Sequence, residues 1–146
     1  MIDFYVMGTP VAMPRPRVVR TPSGKTRTYN SSKSTTYKQM IKIHAKNAMN
    51  KAHKSMTERP LKMELTFFFK PPKSYTKKKL RAVETGELRY TKLPDADNLA
   101  KTVMDALNKL LYKDDSQIVE LSVKKRIRNR GRVSSQSRRN KLRCGD

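Results

Sequence analysis

The chain has 146 residues, 34 of them Lys or Arg against 12 Asp or Glu, which gives a formal net charge of +22 at pH 7. That length supports one core and is too short for two comfortable domains. The positive field suits a polyanionic partner, nucleic acid before an anionic membrane, since the chain has no Trp and no basic helix backed by interfacial aromatics. The single cysteine, Cys144, excludes an intrachain disulfide and reads as a tail thiol without a role. Residues Met1 to Gly8 lack a basic leader and no apolar run approaches a membrane span, so no membrane partner and a cytoplasmic location are expected.

Ile2, Phe4 and Val6 alternate with Asp3, Tyr5 and Met7, which predicts a strand ended by Gly8 and Pro10. Pro10 to Ser34 is rich in Pro, Ser and basic residues without a sustained period, and predicts a long exposed loop. In it, Arg15, Arg17, Arg20, Lys25 and Arg27 are candidate contacts to DNA phosphates; the alternative is a solvated loop. Tyr37, Met40, Ile41, His44, Ala45, Ala48, Met49 and Ala52 recur at helical spacing, with Lys38, Lys42 and Lys46 as a flanking stripe that reads as a solvated face. His44 and His53 fall on opposite sides of this helix and suit structural roles rather than a shared metal.

Leu61, Met63, Leu65, Phe67 and Phe69 alternate with more polar neighbours, the clearest strand in the chain, stopped by Pro71 and Pro72. The segment SYTKKKLRAVETGE, with a Ser or Thr cap and a stop at Gly86, predicts a short basic helix. Ile118 to Ile127 predicts another strand, with Val119, Leu121 and Val123 on one face. Beyond it, residues 128–146 are basic and nearly devoid of apolar side chains, which predicts a largely disordered tail that adds nonspecific affinity for nucleic acid.

Between these elements lies LPDADNLAKTVMDALNKLLYKDDSQI, residues 93–118, which holds five of the twelve acids: Asp95, Asp97, Asp105, Asp114 and Asp115. An even spread would place only about two there. Pro94 favours an extended approach, Asp95 or Asp97 can cap a helix, and Leu99, Val103, Ala106, Leu107 and Leu110 gather on one side of it. Asp97, Lys101, Asp105 and Asn108 then fall on the opposite side. The helix N-terminus favours ionised carboxylates, and two or three Asp with a substrate phosphate suffice for Mg²⁺. A helix-turn-strand return would bring Asp114 or Asp115 back toward the Asp95 and Asp97 end. Such a site can hydrolyse a phosphodiester, with Lys101 stabilising developing charge. Equally, Asp97, Lys101 and Asp105 are i, i+4 ion-pair partners, and two aspartates before a strand are common in turns.

PDADNLAKTVMDALN followed by YKDDSQIVEL resembles the signature of RusA-type Holliday-junction resolvases, and upstream PVAMPRPRV and KPPKSYTKKK extend the likeness over residues 1–127. The resemblance implies a mixed β-sheet packed with helices, an α/β (α+β) single domain with the basic C-terminal tail appended. It implies that Asp95, Asp97 and Asp115 bind a catalytic Mg²⁺, with Mn²⁺ an alternative, and that Lys101 is the essential basic residue. It further implies a homodimer that resolves four-way DNA junctions by paired symmetric nicks in recombination and repair, a setting frequent in prophages. The family usually has one more strand after the Asp-Asp motif, and residues 129–146 look unsuited to one. A noncatalytic basic nucleic-acid-binding protein is the alternative, and a PD-(D/E)XK nuclease, which needs Lys101 on a strand, is a third reading.

Overall fold

Period-two alternation builds the centre of the molecule. The computed structural model describes residues 1–13, 17–29, 32–128 and 139–145, with the backbone alone for 17–19, 26–29 and 139. Strand β1 (Ile2–Met7) buries Ile2, Phe4 and Val6, as its alternation predicts. Two short strands, β2 (Arg17–Arg20) and β3 (Thr26–Tyr29), pair antiparallel, so part of the segment read as a loop is a hairpin. Its turn is tied by Gly24 N–H to Thr21 O at 2.9 Å, with Gly24 at φ 77. Thr-Pro-Ser-Gly is favourable turn chemistry, with Pro second and Gly fourth. With Val18 and Val19 as the flanking apolar residues, the pattern carries little hydrophobic signal.

Helix α1 (Ser32–Lys51) buries Tyr37, Ile41, Ala45 and Met49 along one stripe. His53 lies beyond its end at φ 50, so the two histidines do not share that helix. Strand β4 (Leu61–Phe69) buries every alternate residue from Leu61 to Phe69. Helix α2 (Lys77–Thr85) starts at Thr76, whose side chain accepts from Lys79 N–H, and stops at Gly86 in the left-handed conformation. Helix α3 (Ala96–Leu107) buries Leu99, Ala100, Val103, Ala106 and Leu107. Strand β5 (Ile118–Ile127) pairs parallel with β4, after a crossover through α2 and α3.

The largest correction falls on the tail. Residues 139–145 form strand β6 (Arg139–Gly145), which lies between β1 and β4 in a sheet of order β1-β6-β4-β5. It pairs antiparallel with both neighbours, Leu142 opposite Phe4 and Leu65, and Cys144 opposite Ile2 and Met63. Leu142 and Cys144 are buried core residues, so Cys144 is no tail thiol. Asn140 is also fully buried; its Oδ1 accepts from Phe68 N–H at 3.0 Å and its Nδ2 donates to the Tyr37 hydroxyl and Gly8 O, each at 3.4 Å. A strand needs only one apolar face, and here Lys141 and Arg143 alternate with that face. Residues 129–138 of the expected tail lie outside the described residues.

The sheet is thus mixed and packed with helices, and the fold is an α+β single domain. Its core joins β1, β4 and β6 to α1 and α3. The register of β5 shifts between Leu61 and Lys62 of β4, so Val119 is not in the apolar row and is 71% exposed. Among the described residues no helix is long and apolar enough to cross a membrane.

Candidate active site

Helix α3 carries the first half of the acidic stretch. Asp95 is its N-cap residue by backbone geometry, φ −69 and ψ 149, yet its carboxylate makes no capping hydrogen bond. Asp97 lies in the first turn, and both acids are exposed. Lys101 follows Asp97 by one turn on the exposed side of the helix. That placement removes the reading that needs Lys101 on a strand. Among the described residues none forms an ion pair with Asp95, Asp97 or Lys101. The alternative of an i, i+4 ion-pair ladder is therefore not what these side chains make. Asp105 pairs instead with Lys38 of α1 at 3.1 Å, half-buried, which ties α1 to α3 and takes Lys38 out of the solvated stripe.

The second pair of acids divides by role. Asp114 accepts from Ser116 N–H at 2.9 Å, while the Gln117 side chain accepts from Asp114 N–H at 2.9 Å, a closed capping box on the short turn of 3₁₀ helix at Asp115–Gln117. Hydrogen bonds from Ser116 hold the Asp114 carboxyl below the ordinary carboxylate range. Gln117 then fastens the turn to the chain ahead of β4, donating to Thr57 O at 3.0 Å and Arg59 O at 3.1 Å. Asp115 stands differently: its Oδ1 is buried and has no hydrogen-bond partner. A buried acceptor left unmet is costly, and such groups are where an ion or a functional demand is expected.

Sequence reading did not single out Tyr112. Its side chain is fully buried, and its hydroxyl donates to Met104 O at 2.9 Å, tying the chain before the turn to the third turn of α3. Burial first, then the charge of Asp115 and a hydrogen-bonding contact with its carboxylate, and more weakly Cys144 and Asp105, push the phenol far above its usual range. Asp115 therefore meets α3 through Tyr112, at the level of Met104 and Asp105. The return of the chain does not close the three acids into one cage: among the described residues no group of three His, Cys, Asp or Glu is placed to hold a metal. By chemistry the donors fit a hard divalent ion, being carboxylate oxygens without ion-pair partners among the described residues. By position only Asp95 and Asp97 stand together, at the N-terminus of α3, and water and a substrate phosphate would complete the sphere that they begin.

Of the candidate phosphate contacts, Arg20 and Lys25 are exposed at the closed end of the β2-β3 hairpin. Arg17 and Arg27 lie on its strands, their side chains outside the described residues, as is all of Arg15.

A profile described as Endodeoxyribonuclease RusA matches residues 7–135. The chain is 42% identical over 127 residues to "Uncharacterized protein YqaN" of Bacillus subtilis (strain 168), an alignment that covers 85% of this chain and 86% of that one. With the mixed sheet, the acid-bearing α3 and the Asp-Asp turn ahead of β5 all in place, the chain belongs to the RusA endodeoxyribonuclease family.

Proposed function

We propose that this protein is a divalent-cation-dependent endonuclease that cuts branched DNA, resolving four-way junctions by paired symmetric nicks in recombination and repair. The observation that carries the reading is the pair Asp95 and Asp97, exposed and without ion-pair partners among the described residues at the N-terminus of α3, in a chain of net charge +22 that matches the RusA profile. Carboxylates without a structural partner in so basic a protein are poised for a cation brought against a phosphate.

Asp95 and Asp97 are the proposed ligands for Mg²⁺, or Mn²⁺ in its place, and Asp115, which the family likeness adds to them, lies beside Tyr112 toward the other end of α3. Held by Asp95 and Asp97, such an ion would supply a water of lowered pKa and charge neutralisation at the scissile phosphate. Lys101, one turn after Asp97, places an ammonium where negative charge grows on the phosphate. Arg20 and Lys25 on the hairpin, with Arg15, Arg17 and Arg27, hold the flanking backbone. Paired cuts need two sites, which a two-fold homodimer supplies. The open edge of β5, with Val119 and Leu121 exposed, supports such a partner.

Asp95→Asn and Asp97→Asn should each lower junction cleavage in Mg²⁺ by at least about 10³-fold and leave binding equal or tighter, since less negative charge opposes the phosphates. Normal cleavage by either variant removes that residue from the metal site. One observation favours the noncatalytic alternative: among the described residues the acids do not gather into a cage. Nicking of a synthetic four-way junction in Mg²⁺, abolished by EDTA, eliminates that alternative, and its absence establishes it.

A further inference from the structure

Three consecutive backbone carbonyls lie just ahead of Asp95, and two side chains, Lys125 of β5 and the nearby Tyr90, hold all three. Lys125 Nζ donates to Lys92 O and to Pro94 O, each at 2.8 Å. The Tyr90 hydroxyl donates to Leu93 O at 3.0 Å. The two side chains also meet each other, the Lys125 ammonium lying 5.2 Å from the centroid of the Tyr90 ring. Tyr90 is in turn stacked on Phe69 at the end of β4, with centroids 4.3 Å apart and planes 2° from parallel. Phe69 is buried, so the assembly is anchored in the core.

The position of Lys125 is as informative as its bonds. The register pairs Leu121, Val123, Lys125 and Ile127 of β5 with Met63, Leu65, Phe67 and Phe69, the buried row of β4. Lys125 thus occupies a slot that alternation reserves for an apolar side chain. An ammonium there is tolerable only if its donors are met, and two carbonyls and an aromatic face meet them. A valine or leucine at this half-buried site would make none of these bonds.

We infer that Lys125 and Tyr90 form a carbonyl clamp that fixes the entry into α3 and thereby orients Asp95 and Asp97; both are positioning residues. The inference rests on the reading of those acids as cation-holding groups. The Asp95 side chain receives no capping bond from its own helix, so its direction is set by the backbone that the clamp holds. Misplacement by about 1 Å can cost about 10²-fold in rate.

Lys125→Met keeps the stem and removes the donors, Lys125→Arg keeps a cation, and Tyr90→Phe removes only the bond to Leu93 O. In Lys125→Met, amide exchange at Leu99, whose N–H bonds Asp95 O at 3.1 Å, and through the first bonded turn of α3, residues 99–102, should accelerate by about tenfold or more, and Mn²⁺ affinity without DNA should weaken by about tenfold, as expected when hydrogen bonds to a charged donor are lost. The kcat on a four-way junction should fall by about 10- to 100-fold with KM changed less than about threefold, and Lys125→Arg should recover part of both losses. Tyr90→Phe should move exchange and affinity in the same direction by less, and it decides the question if Lys125→Met does not fold. Unchanged exchange over residues 99–102 in the folded variants overturns the clamp. Wild-type protein that neither cleaves nor binds Mn²⁺ sinks the nuclease reading instead, and exchange alone then decides the clamp.

Discussion

At the scale of the residue, Asp114 and Asp115 are neighbours with opposite relations to the fold. Asp114 is held by the turn that it caps, whereas Asp115 buries an oxygen, Oδ1, that has no hydrogen-bond partner among the described residues. Replacing a strained functional group commonly raises stability while removing activity. Asp115→Asn should therefore leave thermal stability unchanged or raise it, and should lower junction cleavage by about 10²-fold or more. Asp114→Ala should do the reverse, lowering the melting temperature through loss of the cap while sparing much of the activity. Melting curves and nicking rates for the two variants check this, and equal destabilisation by both would mean that Asp115 is structural. Sequence spacing leaves the two acids equivalent, and the likeness to RusA-type resolvases implies Asp115. The capping box is an independent reason to separate them, and Ser116 and Gln117 were already visible as its partners. Lys125 was legible in principle, as a lysine in the row Leu121, Val123, Ile127. What it holds was not, because Lys92 O and Pro94 O are distant from it in sequence.

At the scale of the element, strands β1 and β4 were readable because one face of each is wholly apolar, so local pattern and tertiary burial agree. Strand β6 was not, because its inward row is Asn140, Leu142 and Cys144. Asn140 belongs in the core only because Phe68 N–H, Tyr37 and Gly8 O complete its hydrogen bonds, and those partners are distant in sequence. The placement of β6 changes what truncation means. Removing residues 129–146 takes out an inner strand along with any phosphate contacts, so the shortened chain should fail to fold, as loss of cooperative thermal unfolding would reveal. Leu142→Ala, in a full-length chain, should cost about 2–5 kcal/mol in denaturant unfolding. Lys141→Ala, on the polar face of the same strand, should change stability by less than about 0.5 kcal/mol. A near-neutral Leu142→Ala would contradict the inner position of β6. The β2-β3 hairpin was missed for a related reason: Thr-Pro-Ser-Gly announced the turn, but the four-residue strands carry too little apolar pattern to announce themselves.

At the scale of the whole molecule, the +22 charge and the proposed two-fold pairing lead to one joint prediction. Binding that neutralises Z phosphates weakens with salt at a log–log slope of about −0.9Z for duplex DNA. Six to ten contacts would lower junction affinity by about 10³- to 10⁵-fold between 50 and 200 mM salt. Arg20 and Lys25 sit exposed on the hairpin, away from the acids of α3 in the chain, so substituting either should alter the slope without touching the chemistry. In a monomer, each loss of one phosphate contact reduces the slope by about one. In a two-fold dimer that grips one junction with both hairpins, the same substitution is present twice and should reduce it by about two. Titrations of Arg20→Ala and Lys25→Ala in a cleavage-deficient Asp97→Asn background measure this, with sedimentation giving the mass of the complex. A change near one would place a single protomer on the DNA, and an unchanged slope would remove the hairpin from the interface altogether.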